Sequence, residues 1–218
     1  MDQTLIDELD SNEDPEGQQK LYAQINFVLR EARKALLKRY DVADEAALLE
    51  KIKDKQVDEH PAYNDYLGAL IIEQTRQHVR GDMMARMGGT AGSADNTESV
   101  HVMLKEKIEE HYTQRLSEPV RMAQDALILS FDSGLLMEVR YYSADEYMIS
   151  WSWGEAEFRI DTAPTHPECP TFPHHLHGDD GTVLADSVTL PGTDCWTNFS
   201  RLLDILLVNP LLEPVTPA

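Results

Sequence analysis

Four of the eight histidines in this 218-residue chain fall within twelve residues, at His166, His174, His175 and His177. Imidazole titrates near neutral pH, so such a cluster can supply both a general acid and a general base, as metal-independent cleavage of RNA requires. The segment Thr165-His166-Pro167-Glu168-Cys169-Pro170-Thr171-Phe172-Pro173-His174-His175-Leu176-His177 also carries three prolines, which fix backbone angles and hold an irregular path. If residues 174–177 are extended, His175 and His177 project to one face and His174 to the other. His175 and His177 then reach a common substrate phosphate, and the acid–base set is His174, His175 and His177, with Asp161 orienting a ring. Arg159, on the preceding strand, is the natural cation for that phosphate, and His166 is a further substrate-binding group.

The same residues admit two other readings. Proline-flanked histidines can serve only as hydrogen-bonding caps of a loop. Alternatively, His166, Cys169 and two of the later histidines have a spacing compatible with zinc, although no paired-cysteine or His-Glu-x-x-His pattern is present. No cofactor is expected. Trp151, Trp153, Tyr141, Tyr142 and Tyr147 alternate along strand-like segments, a pattern that points to packing and cross-strand pairs rather than to a base-stacking platform. Cys195 opens a helix, where a thiol pKa can be lowered; the competing expectation is a buried thiol beside Trp196. No phosphate-binding glycine loop, serine nucleophile elbow or dinucleotide fingerprint occurs.

Charge restricts the partners. Nineteen Lys and Arg stand against 39 Asp and Glu, a net charge of −20, which repels phosphate backbones unless the few cations share one face. Residues 1–90 carry 12 basic and 18 acidic side chains, and residues 91–218 carry 7 and 21. RNA is therefore a substrate that the chemistry suggests and the charge disfavours. Two cysteines, no secretory signal and no apolar run of membrane-spanning length predict a cytoplasmic protein with no membrane association.

The elements that must position these groups follow from hydrophobic period. Residues 1–17 read as an acidic tail. Leu21, Ile25, Val28, Ala32, Ala35 and Leu36 predict a helix over 18–40, Asp41 or Asp44 caps a second over 44–55, and His60-Pro61 breaks the chain before a third over 62–87. Residues 18–88 are thus an all-α unit whose apolar stripe seeks a partner, either another domain or a second copy. Residues 89–97, rich in glycine and small polar residues, form a flexible linker. A helix is expected over 98–124. The period then shifts to two, giving strands over 126–131, 135–142, 146–153 and 155–161 with turns at Asp132-Ser133-Gly134 and Gly154. Residues 162–178 are expected as an ordered loop, and a helix over 194–208 closes the chain before Pro210. The fold class is α+β, an N-terminal helical unit linked to an antiparallel meander (98–218) with flanking helices.

The order Tyr147-Met148-Ile149-Ser150-Trp151-Ser152-Trp153, Glu157-Phe158-Arg159-Ile160-Asp161-Thr162-Ala163-Pro164, His166-Pro167-Glu168 and Thr171-Phe172-Pro173-His174-His175-Leu176-His177, closed by a helix, resembles the TumE-type toxins of toxin–antitoxin pairs over about residues 115–208. That resemblance implies a small α+β toxin that arrests growth, with RNA cleavage as its activity and the histidine block at its working surface. Residues 18–88, with Arg39-Tyr40-Asp41-Val42-Ala43-Asp44-Glu45 and Tyr63-Asn64-Asp65-Tyr66-Leu67, loosely resemble the helical antitoxins of such pairs. The expectation is an antitoxin-like and a toxin-like half in one chain, the second held by the first in cis and its activity latent or lost. The alternative is a non-catalytic interaction module, homodimeric through the 18–40 helix, with a structural or metal-binding histidine loop.

Overall fold

The computed structural model describes residues 15–86 and 99–213; most of the expected acidic tail and the whole expected 89–97 linker lie outside them. The chain divides into two compact units, one of residues up to 99 together with 122–125, the other of 100–121 and 126 onward.

In the first unit, α1 (Pro15–Arg39), α2 (Glu45–Lys53) and α3 (Glu59–Arg86) follow one another. Tyr22, Ile25 and Leu29 recur at three- and four-residue spacing and bury together with Ile72 of α3, flanked by Leu36, Val79 and Met83. The buried stripe is rotated from the expected one, since Val28 is exposed. Lys38 and Arg39 sit in the last turn of α1, where the helix dipole favours cations. Asp44 rather than Asp41 caps α2, accepting a hydrogen bond from the Ala47 amide. Asp41 instead adopts φ 51° just past α1, a left-handed conformation that Asp tolerates. At the start of α3 His60 has extended backbone, as a residue before proline prefers, so the regular helix begins beyond it.

The second unit is α+β as expected. It contains α4 (Val100–Tyr112), β2 (Leu127–Ser130), β3 (Leu136–Tyr141), β4 (Tyr147–Trp153), β5 (Ala156–Asp161), β6 (His175–His177), β7 (Val183–Ala185) and α5 (Cys195–Leu206), while β1 (Arg121–Met122) falls on the division, Met122 being counted with the first unit. The strands lie side by side in chain order in one sheet, and β2 to β7 pair antiparallel. Two expectations are corrected. The helix predicted over 98–124 stops at Tyr112, because Leu116 bridges Phe131 and the Ser117 amide bonds to Ser130, and Pro119 could not continue a helix. The segment 162–178 is not loop throughout, since its last residues add β6 to the meander.

Register divides the sheet into two faces. Leu127 pairs Val139, Val139 pairs Ile149, and Ile149 pairs Ile160; Met137 pairs Trp151, and Trp151 pairs Phe158. These residues share one side of the pleat, with the stacked Tyr141 and Tyr147 rings 4.9 Å apart at its end. Phe199, Leu202, Leu203 and Leu206 of α5 and Leu104 and Ile108 of α4 are buried at helical spacing. Buried His101 on α4 ties the layers by accepting the Tyr141 amide on Nε2 at 3.0 Å. The same register leaves Arg159, Asp161, His175 and His177 on the other side of the sheet.

Candidate functional site

The site is built from the β5–β6 ladder. Asp161 pairs with His175 and Arg159 with His177, so alternation on both strands brings four polar side chains to one face. Asp161 is almost fully buried. Its Oδ2 accepts from Arg159 Nε at 2.7 Å and its Oδ1 from the Ala163 amide at 3.0 Å. His175 Nε2 lies 3.4 Å from Oδ1, and His177 Nε2 lies 3.5 Å from Oδ2. The two rings meet through their Nε2 atoms at 2.9 Å.

Hydrogen-bond chemistry fixes the protons. His175 Nδ1 is 3.0 Å from the Pro173 carbonyl oxygen, which can only accept, so Nδ1 carries a hydrogen. In neutral His175 the Nε2 lone pair therefore faces His177, whose Nε2–H donates to it. A further proton on His175 would be held against the Asp161 carboxylate. The arrangement is a pair of contacting imidazoles with an anion beside it and a guanidinium on Oδ2, the oxygen of that anion that also faces His177.

His166 joins from the loop, its ring centroid 4.6 Å from that of His175 and 5.9 Å from that of His177. Its Nδ1 is 3.2 Å from Glu168 Oε1. Among the rings, His175 is fully buried, whereas the side chains of His166 and His177 are about one-fifth exposed. His166 and His177 are therefore the rings open to solvent, and His175 lies behind them.

His174, included in the expected acid–base set, does not join the others. Strand alternation turns it to the opposite side, where Nδ1 is buried with no hydrogen-bond partner and burial pushes its pKa down, against the raising effect of nearby Asp186. Cys169, the sulfur considered as a metal ligand, instead lies 3.5 Å from Thr171 Oγ1 and 3.6 Å from the Leu184 carbonyl. Cys195 does not have the lowered pKa of an activated thiol. Burial, followed by the charge of Asp194, raises it. Of the aromatics expected to pack, Tyr141, Tyr147 and Trp151 are buried, with Trp151 stacking on Phe158 at 5.4 Å and donating to the Pro210 carbonyl, and burial is the chief cause that pushes the Tyr147 pKa up to about 12; Trp153 is instead exposed and donates to the Ser133 carbonyl.

Several supporting groups were not foreseen. The Pro173 carbonyl and Glu168 orient two rings. Asp186 accepts the Val188 and Thr189 amides, an Asx-type turn whose signal is an aspartate two residues before the amide it holds. The Asp186 amide donates to Thr171 Oγ1, which donates to the His174 carbonyl, fastening the chain that enters β6.

In the first unit, the two sequence blocks of the antitoxin resemblance meet. Arg39 and the Tyr40 hydroxyl both donate to Asp65, at 2.9 and 2.8 Å, and Arg33 makes a two-pronged pair with Glu45, 2.6 Å on each side. Burial, then the Asp65 hydrogen bond, raises the Tyr40 pKa. These contacts hold helices together.

No described helix is long and apolar enough to cross a membrane. Residues 21–87 match the family described as Uncharacterized protein MJ0235 family, a description that names no antitoxin. No curated protein and no solved structure matches the chain. Residues 100–203, from the start of α4 into α5 and including the whole histidine cluster, match the family Toxin TumE, so the resemblance expected for the second half holds and begins about fifteen residues earlier.

Proposed function

We propose that the second unit is an RNA-directed toxin domain of a toxin–antitoxin protein, carried in one chain with an antitoxin-like first unit that keeps it silent. The observation that carries the reading is the 2.9 Å contact between His175 and His177 beside Asp161. In this reading His177 takes the proton of a ribose 2′-hydroxyl as it attacks the adjacent phosphorus, and His166 gives a proton to the departing 5′-oxygen. His175 receives charge from His177 through the shared Nε2 contact, Asp161 stabilises the imidazolium that forms, and Arg159 offsets charge on the phosphate. The likeness to Toxin TumE supports the toxin assignment. Tethering supplies the silence: a linker of about ten residues gives effective concentrations near millimolar, enough to keep a weak intramolecular complex mostly closed.

The test is inducible expression of residues 98–218 beside the full chain and beside the fragment with His175→Ala and His177→Ala, with growth and total RNA integrity scored and folding of each fragment checked by circular dichroism. Growth arrest and RNA decay from the unaltered fragment alone are expected. A folded, soluble fragment that leaves growth and RNA unchanged overturns the reading in favour of a non-catalytic interaction module.

A further inference from the structure

One ring nitrogen from each of His166, His175 and His177 lies within 4.8 Å of the others. Zinc–imidazole bonds of about 2.0–2.1 Å in tetrahedral geometry require nitrogens about 3.3 Å apart. His175 and His177, at 2.9 Å, lie within half an ångström of that spacing and need only to part slightly, and His166 needs a movement of an ångström or so in a loop side chain.

The distal nitrogens strengthen the case. A metal-ligating histidine usually donates its other N–H to a carbonyl or carboxylate, which fixes the ring and makes the ligating nitrogen more basic. His175 Nδ1 has the Pro173 carbonyl at 3.0 Å and His166 Nδ1 has Glu168 at 3.2 Å. Two of the three rings therefore hold the hydrogen on Nδ1 and present Nε2 as the donor. Asp161 supplies an adjacent anion, both of whose oxygens already accept hydrogen bonds. Exposure of His166 and His177 gives the ion a way in. Imidazole donors suit zinc, copper, nickel and cobalt rather than magnesium or calcium, which take oxygen.

We propose that His166, His175 and His177 form a three-histidine site for a divalent transition metal of the zinc class, with Glu168 and the Pro173 carbonyl as positioning groups and Cys169 outside it. The inference does not rest on the RNA-cleaving reading. The nitrogens that would bind the ion are those that would move protons, so the occupied state and the acid–base state exclude one another.

The test is titration of the full-length chain with Co2+, followed by its visible absorption and by calorimetry. Expected are saturation at one equivalent, no thiolate charge-transfer band, loss of tight binding in His166→Ala, and about 10–100-fold weaker binding in Glu168→Ala. His174→Ala and Cys169→Ser should bind as the unaltered chain does. Absence of saturable binding, or unchanged binding in both His166→Ala and Glu168→Ala, overturns the site; Glu168 is a mostly exposed loop side chain, so that variant remains informative if the other fails to fold. RNA cleavage without Co2+ binding defeats this inference alone, and Co2+ binding without RNA cleavage defeats the proposed activity alone.

Discussion

Asp161 joins four neighbours: a guanidinium, a backbone amide and two imidazoles. Replacing one partner of a buried ion pair leaves the other desolvated, at a cost of about 3–5 kcal/mol. Asp161→Ala should lower the unfolding free energy by about that amount, measured by urea denaturation; a change below about 1 kcal/mol would show that Arg159 keeps its stabilisation without this carboxylate. The two thiols give a second residue-level expectation. Cys195 is buried with a raised pKa, so iodoacetamide at pH 8 should leave it unmodified in the folded protein and alkylate it on denaturation, with mass spectrometry as the readout. Modification of native Cys195 would contradict its burial. Much of the site was legible at this scale, because alternation alone separates His175 and His177 from His174 and because Arg159 and Asp161 are two residues apart on a recognisable strand. The role of Glu168 is not legible in the sequence, since a contact from a loop carboxylate to a ring two residues earlier follows from loop geometry, which periodicity does not report.

At the scale of elements, α5 shows how a short sequence signal sets a boundary. The Asp194 side chain accepts the Thr197 amide at 3.0 Å, which is the main reason its pKa lies below the ordinary aspartate value of 3.8. A depressed carboxylate stabilises the fold fully above the unfolded pKa, and that contribution is lost as pH falls through the lower folded value. Asp194→Ala should cost about 1 kcal/mol at pH 7, whereas Asp194→Asn, which keeps a capping oxygen, should cost less and flatten the decline in melting temperature below about pH 4. An unchanged pH profile in Asp194→Asn would remove the cap's charge from the account. Behind the cap, Phe199 is fully buried against its neighbours, so Phe199→Ala should lose about 3–5 kcal/mol by chemical denaturation. The strands β2 to β5 were legible because a two-residue period and glycine turns mark each one; Gly134 and Gly154 take the positive φ values of 84° and 64° that those turns need. The end of α4 and the presence of β6 were not, because both depend on pairing with residues distant in sequence. Leu116 leaves the helix to meet Phe131, and His175 to His177 become a strand by meeting Asp161 to Arg159.

For the whole molecule, a charge of −20 limits how much of any polyanion the protein can hold. Lys105 pairs with Glu109, Arg140 with Glu138 and Arg159 with Asp161, while Lys107 lies over the Trp196 ring, so these cations of the second unit are already engaged. If RNA binds, few phosphates are contacted, and the salt dependence should be shallow. Each contact contributes about 0.7 to the slope of log affinity against log salt for a single strand. Arg159→Gln should lower that slope by about one contact, measured by fluorescence anisotropy with a short RNA at several salt concentrations; an unchanged slope would exclude Arg159 from the phosphate.

The ladder between β5 and β6 has a consequence for how such a site tolerates change. The thirteen residues between Asp161 and His175 are more than a tether, because they supply His166, Glu168 and the Pro173 carbonyl to the site. Deleting Leu176 removes one step of a two-step repeat, so the ring following His175 in the pleat would point to the helix-covered layer. The cluster is therefore written in the reading frame of a strand three residues long, and exchanging Leu176 for another apolar residue should be far better tolerated than losing it.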